Sequence, residues 1–141
     1  MRTKRFRGSV RRFVLSGTVL AATAGAVVVA VPGTASAAGC TVKTGTTANL
    51  RQTASGIQPV GGARFTKGSI CLDLNITHVS ATDSYEGWLR RANGTWFACS
   101  KGFVHINAGD AAVVLCSSVA AGTVMAVVQA SNTQRTITAE Y

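Results

Sequence analysis

The stretch EGWLRRANGTWFACSKGFVHI, residues 86–106, decides the fold of this chain. Asn93-Gly94 lies between two short runs rich in β-forming residues, WLRRA and TWFAC, and Asn-Gly between such runs is the strongest short-range signal for a β-hairpin. A third run, FVHI, follows after a short polar stretch. The sequence therefore predicts a hairpin and a following strand, with Cys99 available for a disulfide.

Other short runs of the same type flank this stretch on both sides. In SICLDL (69–74), Ile70, Leu72 and Leu74 alternate with less apolar residues, which predicts a half-buried strand. TVMAVVQ and RTITAEY, separated by ASNT, predict a C-terminal hairpin. Because no helical periodicity follows residue 38, we expect an all-β domain, either a compact barrel or a small sandwich.

Residues 1–37 have the features of an export signal. MRTKRFRGSVRRF is basic, an apolar stretch follows it, and Ala35-Ser36-Ala37 is a small-residue cleavage site. The apolar stretch is rich in Ala, Gly, Ser and Thr, which favours a cleaved signal over a membrane anchor. Arg11-Arg12 resembles the twin-arginine export signal, although paired arginines also occur in general export signals. AAGC, which ends at Cys40, loosely resembles a lipidation motif.

Cleavage changes the charge of the protein. Six of the 14 lysines and arginines lie in residues 1–37, whereas all five acidic residues follow them. Residues 38–141 therefore carry eight basic and five acidic side chains, a net charge of +3 rather than +9. Since these basic residues are scattered, the sequence does not predict nucleic-acid binding.

The chain has four cysteines, Cys40, Cys71, Cys99 and Cys116, all after the signal. An even number of cysteines in a small exported domain favours disulfides. Metal binding is not indicated, because neither C-x-x-C nor H-x-x-H spacing occurs. Three connectivities are open, and we favour Cys71–Cys99 between neighbouring strands with Cys40–Cys116 closing the ends.

Three segments in order resemble bacterial SH3 domains. TANLRQTASG (47–56) is similar to the segment that opens those domains, and VGGARFTKGSICLDL (60–74) to the segment that follows. Residues 86–106 resemble the closing G-W-x-[KR]-V and G-[YWF]-V motifs. The resemblance implies a small SH3-like barrel over 38–110, which we expect the predicted disulfides to staple. Residues 111–141 lie outside the family pattern, and we expect them to form a C-terminal β extension on the same domain.

The chain also departs from the family pattern. Gln52-Thr53-Ala54 stands where Ser-Gly-Pro is common, and the insert NITHVSATDSYE lengthens the loop before Trp88. Such domains occur outside bacterial cells, often on cell-wall hydrolases, and some bind peptidoglycan or its cross-bridge peptides. The resemblance thus implies a secreted module that binds cell-wall peptide or another extracellular polymer without covalent chemistry.

A second hypothesis is a secreted effector or inhibitor that docks onto a partner protein. Small size, two disulfides and export suit this function as well. The segment NITHVSATDSYEG is the candidate docking loop, because it is the one long polar insertion that the sequence predicts.

The candidate ligand-binding residues are Tyr85, Trp88, Arg90 and Trp96. We expect Tyr85 and Trp96 to be exposed, in a loop and after a turn, whereas Trp88 and Phe103 favour the barrel core. Exposed aromatic rings beside arginines could hold a peptide or glycan by stacking and by hydrogen bonds to acidic groups.

The sequence predicts no enzyme. Cys99 and His105 could approach one another on neighbouring strands, but Cys99 is more simply a disulfide partner. No G-x-S-x-G motif occurs, and Asp83 and Glu86 lie in a polar segment rather than as a catalytic pair. We also expect no metal, no cofactor and no stable membrane insertion after cleavage.

Overall fold

The structure, a computed structural model, describes residues 39–141. The predicted export signal therefore lies outside the described residues. Within 39–141 there are 11 β-strands and no helix, so the all-β prediction is confirmed. The described residues accordingly contain no helix that could span a membrane. The strands are β1 (Val42–Thr46), β2 (Asn49–Thr53), β3 (Gly56–Val60), β4 (Phe65–Thr66), β5 (Leu74–Val79), β6 (Asp83–Arg90), β7 (Trp96–Ala98), β8 (Val104–Ile106), β9 (Val113–Cys116), β10 (Val124–Gln129) and β11 (Thr136–Glu140).

The strands form two larger antiparallel sheets and a separate hairpin. The first sheet has the order β1-β11-β5-β9, and the second has the order β4-β10-β6-β7, with β8 also paired to β6. The hairpin consists of β2 and β3. The strands of 39–141 do not close into one barrel, so the predicted barrel is not found. Both larger sheets instead have open edges, at β1 and β9 in the first sheet and at β4, β7 and β8 in the second.

The predicted C-terminal hairpin is wrong, although both of its strands exist. β10 pairs with β4 and β6 in the second sheet, whereas β11 pairs with β1 and β5 in the first. The connection 130–135 crosses from one sheet to the other, and Asn132 has a φ of 56° within it. Residues 111–141 thus supply central strands to both sheets.

The main hydrophobic core contains side chains from both larger sheets. Leu74, Ile76 and Ile137 come from the first sheet, and Met125 and Val127 from the second. The two sheets therefore bury their apolar faces in one shared cluster, as layered β-proteins do.

The hairpin predicted at Asn93-Gly94 is confirmed. The backbone N–H of Arg91 donates to the carbonyl of Thr95 at 2.8 Å, and β6 and β7 pair from Arg90 and Trp96 onward. Gly94 has a φ of 87°, the left-handed conformation that closes a three-residue hairpin loop. Glycine adopts this conformation without the steric cost that a Cβ would add.

The strand predicted over 69–74 is wrong. Ile70 and Leu72 are 67% and 71% exposed, and only Leu74, at which β5 begins, enters the core. The residues before Leu74 form a loop. Alternating apolar residues form a strand only where a partner strand is available. No strand pairs with residues 69–73.

A buried lysine and a disulfide hold this loop, which we call the 67–73 loop. Lys67 is 2% exposed, and its ammonium group donates to the carbonyls of Gly68, at 3.0 Å, and Cys71. The side chain of Cys71 points inward to its disulfide with Cys40. The N–H of Val119 donates to the carbonyl of Leu72. These bonds oppose continuation of the loop as a strand.

The two disulfides are Cys40–Cys71 and Cys99–Cys116, each with 5.4 Å between the Cα atoms. The prediction that all four cysteines form disulfides is confirmed, whereas the favoured connectivity, Cys71–Cys99 with Cys40–Cys116, is wrong. The favoured pairing required Cys71 and Cys99 to lie on neighbouring strands. Cys71 instead lies in a loop, where it reaches Cys40.

The predicted long loop NITHVSATDSYE is also wrong. Its residues form most of β5 and the start of β6, and only 80–82 connect the two strands. Ile76, Val79 and Tyr85 all enter the core, which outweighs the polar residues between them. The pairing of β5 with β11 shifts register between Ile76 and His78, so Ile76 and Val79 both face inward although they are three residues apart. The docking loop expected at this position is therefore absent.

Candidate functional site

The two faces of β6 have different surroundings, because successive side chains of a strand point to opposite faces. One face packs on the core shared by the two sheets, and the other packs under the hairpin β2–β3. The core-facing residues are Tyr85, Gly87 and Leu89, and the residues of the other face are Glu86, Trp88 and Arg90.

Tyr85 is a core residue, and the prediction that it is exposed is wrong. Its side chain is 0% exposed, and its hydroxyl donates to the carbonyl of Ala81 at 2.5 Å. Burial raises the pKa of the Tyr85 hydroxyl, and the charge of Asp83 raises it further. Tyr85 belongs to β6 rather than to a loop, and the strand directs its ring inward.

Trp88 is buried under the hairpin β2–β3. It is 8% exposed, and its indole Nε1 donates to Glu86 Oε2 at 2.7 Å. Ala48 and Val128 complete this second apolar cluster, with Leu50 packed against it. The carboxylate of Glu86 is itself buried, so each of the two side chains supplies a hydrogen-bond partner for the other. The pair therefore has a structural role on the face of β6 under the hairpin.

Trp96 is half-buried, and the guanidinium group of Arg64 lies over its ring. The guanidinium carbon of Arg64 lies 5.1 Å from the ring centroid, within the range of a cation–π contact. Arg90 is the cross-strand partner of Trp96 and is exposed. Arg64, Trp96 and Arg90 together form what we call the Trp96 face.

Backbone carbonyls position Arg64. Its Nη1 donates to the carbonyl of Gly61 at 2.6 Å, and its Nη2 donates to the carbonyl of Pro59 at 3.0 Å. Burial lowers the pKa of the Arg64 guanidinium, and the positive charge of Arg90 lowers it further. The Trp96 face therefore combines an aromatic ring with two cations that repel each other.

An open groove of about 490 Å³ lies beside this face, between the β6–β7 turn and the turn before β10. We call it the turn groove. Two arginines and small residues line it, and no acidic residue does. The guanidinium carbon of Arg91 lies 4.3 Å from the centroid of the Phe97 ring. The lining residues are Arg90, Arg91, Ala92, Gly94, Ala121, Gly122, Thr123 and Val124.

The structure brings together only two of the four candidate residues in an accessible place, Arg90 and Trp96. The sequence reasoning missed Arg64, which lies two residues after a glycine pair. Its contact with Trp96 joins residues that are distant in sequence, and no local pattern signals such a contact. Arg91 adjoins Arg90, and the sequence reasoning placed this arginine pair beside the exposed aromatic residues.

Phe103 differs from its predicted place in the core, since it is 45% exposed. Only Ile106 of the closing strand β8 enters the core fully, and Val104 packs at its edge. Phe103 precedes β8, so no strand pairing directs its ring inward.

The residues considered for catalysis do not assemble. Cys99 is bonded to Cys116 and has no free thiol. Asp83 accepts hydrogen bonds from the Ser131 hydroxyl and, at 2.7 Å, from the N–H of Ser84. The Ser131 hydroxyl is the larger cause of a lowered Asp83 pKa. Within residues 39–141, no group of histidine, cysteine and carboxylate side chains is placed to hold a metal ion.

Comparison with known proteins finds no relative: no family model, no curated protein and no solved structure matches this chain.

Proposed function

We propose that the protein is a secreted bacterial SH3-like binding module that recognises cell-wall peptide, peptidoglycan or another extracellular polymer without covalent chemistry. The observation that carries the proposal is the Trp96 face, where the guanidinium group of Arg64 lies over a half-buried indole and Arg90 is the cross-strand partner of Trp96. The accessible part of the ring, beside Arg64, offers apolar contact area for a sugar or peptide unit, and the arginines offer donors for carboxylates.

The positions of the family-like motifs support the SH3-like part of the proposal. Asn49 and Arg51 lie in β2, and Gly87 and Trp88 lie in β6, which pairs with three other strands. Val104 begins β8, one of those partners. The two disulfides are consistent with an extracellular protein.

The test is co-sedimentation of the secreted, oxidised protein with purified peptidoglycan sacculi at low and moderate salt. We expect saturable binding that persists at moderate salt, weakened about tenfold by Trp96→Ala, since a central aromatic anchor contributes this much to many interfaces. Phe103→Ala, which removes an exposed aromatic ring outside the Trp96 face, is the matched control. Absence of sedimentation, or equal losses in both folded variants, would refute the proposal.

A second candidate function is docking onto a partner protein, and the 67–73 loop favours it. Ile70 and Leu72 project from a loop that is fixed at Cys71 between them. Exposed aliphatic side chains on a preorganised loop are typical of docking sites, because little conformational entropy is lost on binding. The carbonyls of Cys71 and Leu72 are bonded internally, so a partner would contact mainly the side chains.

This candidate is tested by capturing secreted proteins of the host with the immobilised protein. A partner that docks on the 67–73 loop should be lost with Ile70→Ser/Leu72→Ser. It should be retained with Ile57→Ser, which changes an aliphatic residue that is 54% exposed on β3. Equal capture by both variants would contradict docking through this loop.

A further inference from the structure

We infer that the turn groove is an anion subsite of the proposed polymer-binding surface and that it takes a phosphate or carboxylate group of the polymer. The inference rests on the proposed function and adds the chemical class of the ligand. It depends on Arg90 and Arg91, the two charged residues of the groove.

Both arginines are held by neighbouring groups. Arg90 Nε donates to the carbonyl of Gly94 at 3.2 Å, which leaves the two terminal nitrogens of its guanidinium for a ligand. The guanidinium of Arg91 lies over the ring of Phe97. An arginine that is already positioned loses less freedom when it binds an oxyanion, and its planar fork matches the two oxygens of a carboxylate or phosphate.

The positive charge of the groove is not compensated. Among the described residues, no carboxylate forms an ion pair with Arg90 or Arg91, and the lining contains no acidic side chain. Arg64, on the adjoining Trp96 face, adds a third cation, and its lowered pKa reflects repulsion by Arg90 as well as burial. A bound anion would reduce this repulsion, so the charges favour an anionic group here.

The backbone N–H groups that line the groove are not available to bind an anion, so the arginine side chains must bind it. The N–H groups of Gly94, Gly122 and Thr123 already donate to carbonyls within the chain. They are therefore not free to form an anion-binding nest. Gly122 has a φ of 80° and no atom lies within 4 Å of the place where a Cβ would stand, so the floor is open.

The size of the groove favours a group carried on a larger chain. A volume of about 490 Å³ lies within the range of sites for whole small ligands and is much larger than one phosphate or carboxylate needs. Because the groove adjoins Arg90 of the Trp96 face, one polymer could place an anionic group in the groove and a neighbouring unit on Trp96.

Nuclear magnetic resonance tests the subsite with inorganic phosphate and with acetate, each titrated into the secreted, oxidised protein at constant ionic strength. We expect saturable shifts of the Arg90 and Arg91 Nε–H signals and of the Gly122 and Thr123 amides. Arg90→Gln/Arg91→Gln should weaken this binding about tenfold or more. Arg51→Gln, which removes a charge from the exposed part of β2, should leave it unchanged.

The substitution Arg90→Lys/Arg91→Lys separates a built subsite from general charge attraction. It keeps the net charge but removes the planar fork, so binding should still weaken. Shifts equal to those in sodium chloride, or equal binding by the lysine variant and the wild type, would overturn the subsite. A thermal unfolding curve for each variant verifies that it is folded.

Sedimentation with two wall preparations identifies the source of the anion. Walls stripped of phosphate polymers retain the peptide carboxylates. If the binding that depends on Arg90 and Arg91 is lost on stripped walls, the bound anion is phosphate. If that binding is retained, the bound anion is carboxylate. Anion binding without any wall binding would support the subsite and overturn the proposed function. Wall binding that needs Trp96 but neither groove arginine would overturn the subsite alone.

Discussion

Gly87 lies directly against the sulfur of Cys116, and a Cβ at Gly87 would come within 3.0 Å of that sulfur. Cys116 ends β9 of the first sheet, and its partner Cys99 follows β7 of the second. The disulfide therefore ties the two sheets together, and it crosses β6 at the one position of that strand that has no side chain.

Gly87→Ala should destabilise the protein by about 2–3 kcal/mol, because the added methyl group forces a packed disulfide or strand to move. Urea denaturation of the oxidised protein measures this change. Gly68→Ala is the control, since the nearest atom to its Cβ position is 4.0 Å away and its φ is not positive. The control should change stability by less than about 0.5 kcal/mol.

The cause of that penalty can be isolated in a double-mutant cycle. In a Cys99→Ala/Cys116→Ala background the sulfur atoms are absent, and Gly87→Ala should cost clearly less than it does in the wild type. An unchanged penalty would show that the nearby Cβ of Leu115, rather than the disulfide, limits the space at Gly87.

Lys67→Met should destabilise the protein by about 2 kcal/mol. The substitution keeps the apolar stem but leaves the carbonyls of Gly68 and Cys71 without their buried donor. Lys101→Met removes an exposed ammonium group that donates to the carbonyl of Val114, and it should cost less than about 0.5 kcal/mol. Equal effects of the two substitutions, measured by urea denaturation, would contradict the structural role of Lys67.

The hydrogen bond from Ser131 should be visible in the titration of Asp83. Because the folded-state pKa of Asp83 lies below its ordinary value of 3.8, the bond stabilises the fold above that pH, and the stabilisation is lost as the pH falls through the folded-state pKa. Ser131→Ala should raise the Asp83 pKa toward 3.8, as measured by carboxyl carbon chemical shifts. Ser55→Ala, in the exposed β2–β3 turn, should not change it.

Both tyrosines of the chain, Tyr85 and Tyr141, should ionise above the ordinary pKa of 10.0, because burial disfavours the phenolate. The raised folded-state pKa means that their contribution to stability is complete below pH 10 and falls as the pH rises further. Absorbance at the phenolate band checks this directly. A tyrosine that ionises at or below pH 10 in the folded protein would contradict its burial.

The parts of the fold that could be predicted are those that neighbouring residues determine. Asn93-Gly94 specifies a hairpin because Gly94 supplies the left-handed conformation between two β-forming runs. The strands β10 and β11 follow from their composition, with bounds close to those of TVMAVVQ and RTITAEY. These features need no knowledge of distant partners.

The parts that could not be predicted depend on distant contacts. β10 and β11 pair with strands far away in sequence rather than with each other, and local patterns carry no such information. Ile70 and Leu72 alternate as in a strand, but Lys67 and the disulfide of Cys71 hold them in a loop. For the same reason the sequence predicted Trp96 and Arg90 but not Arg64, whose contact with Trp96 is made in three dimensions.

The most direct test of the proposed binding surface is a map of where soluble peptidoglycan fragments contact the oxidised protein, obtained from backbone amide shifts. We predict saturable shifts concentrated on the Trp96 face and on the turn groove, in particular at residues 90–97 and 121–124. Shifts concentrated on residues 67–73 would contradict the account and favour docking through that loop. No saturable shift at any amide would refute recognition of peptidoglycan.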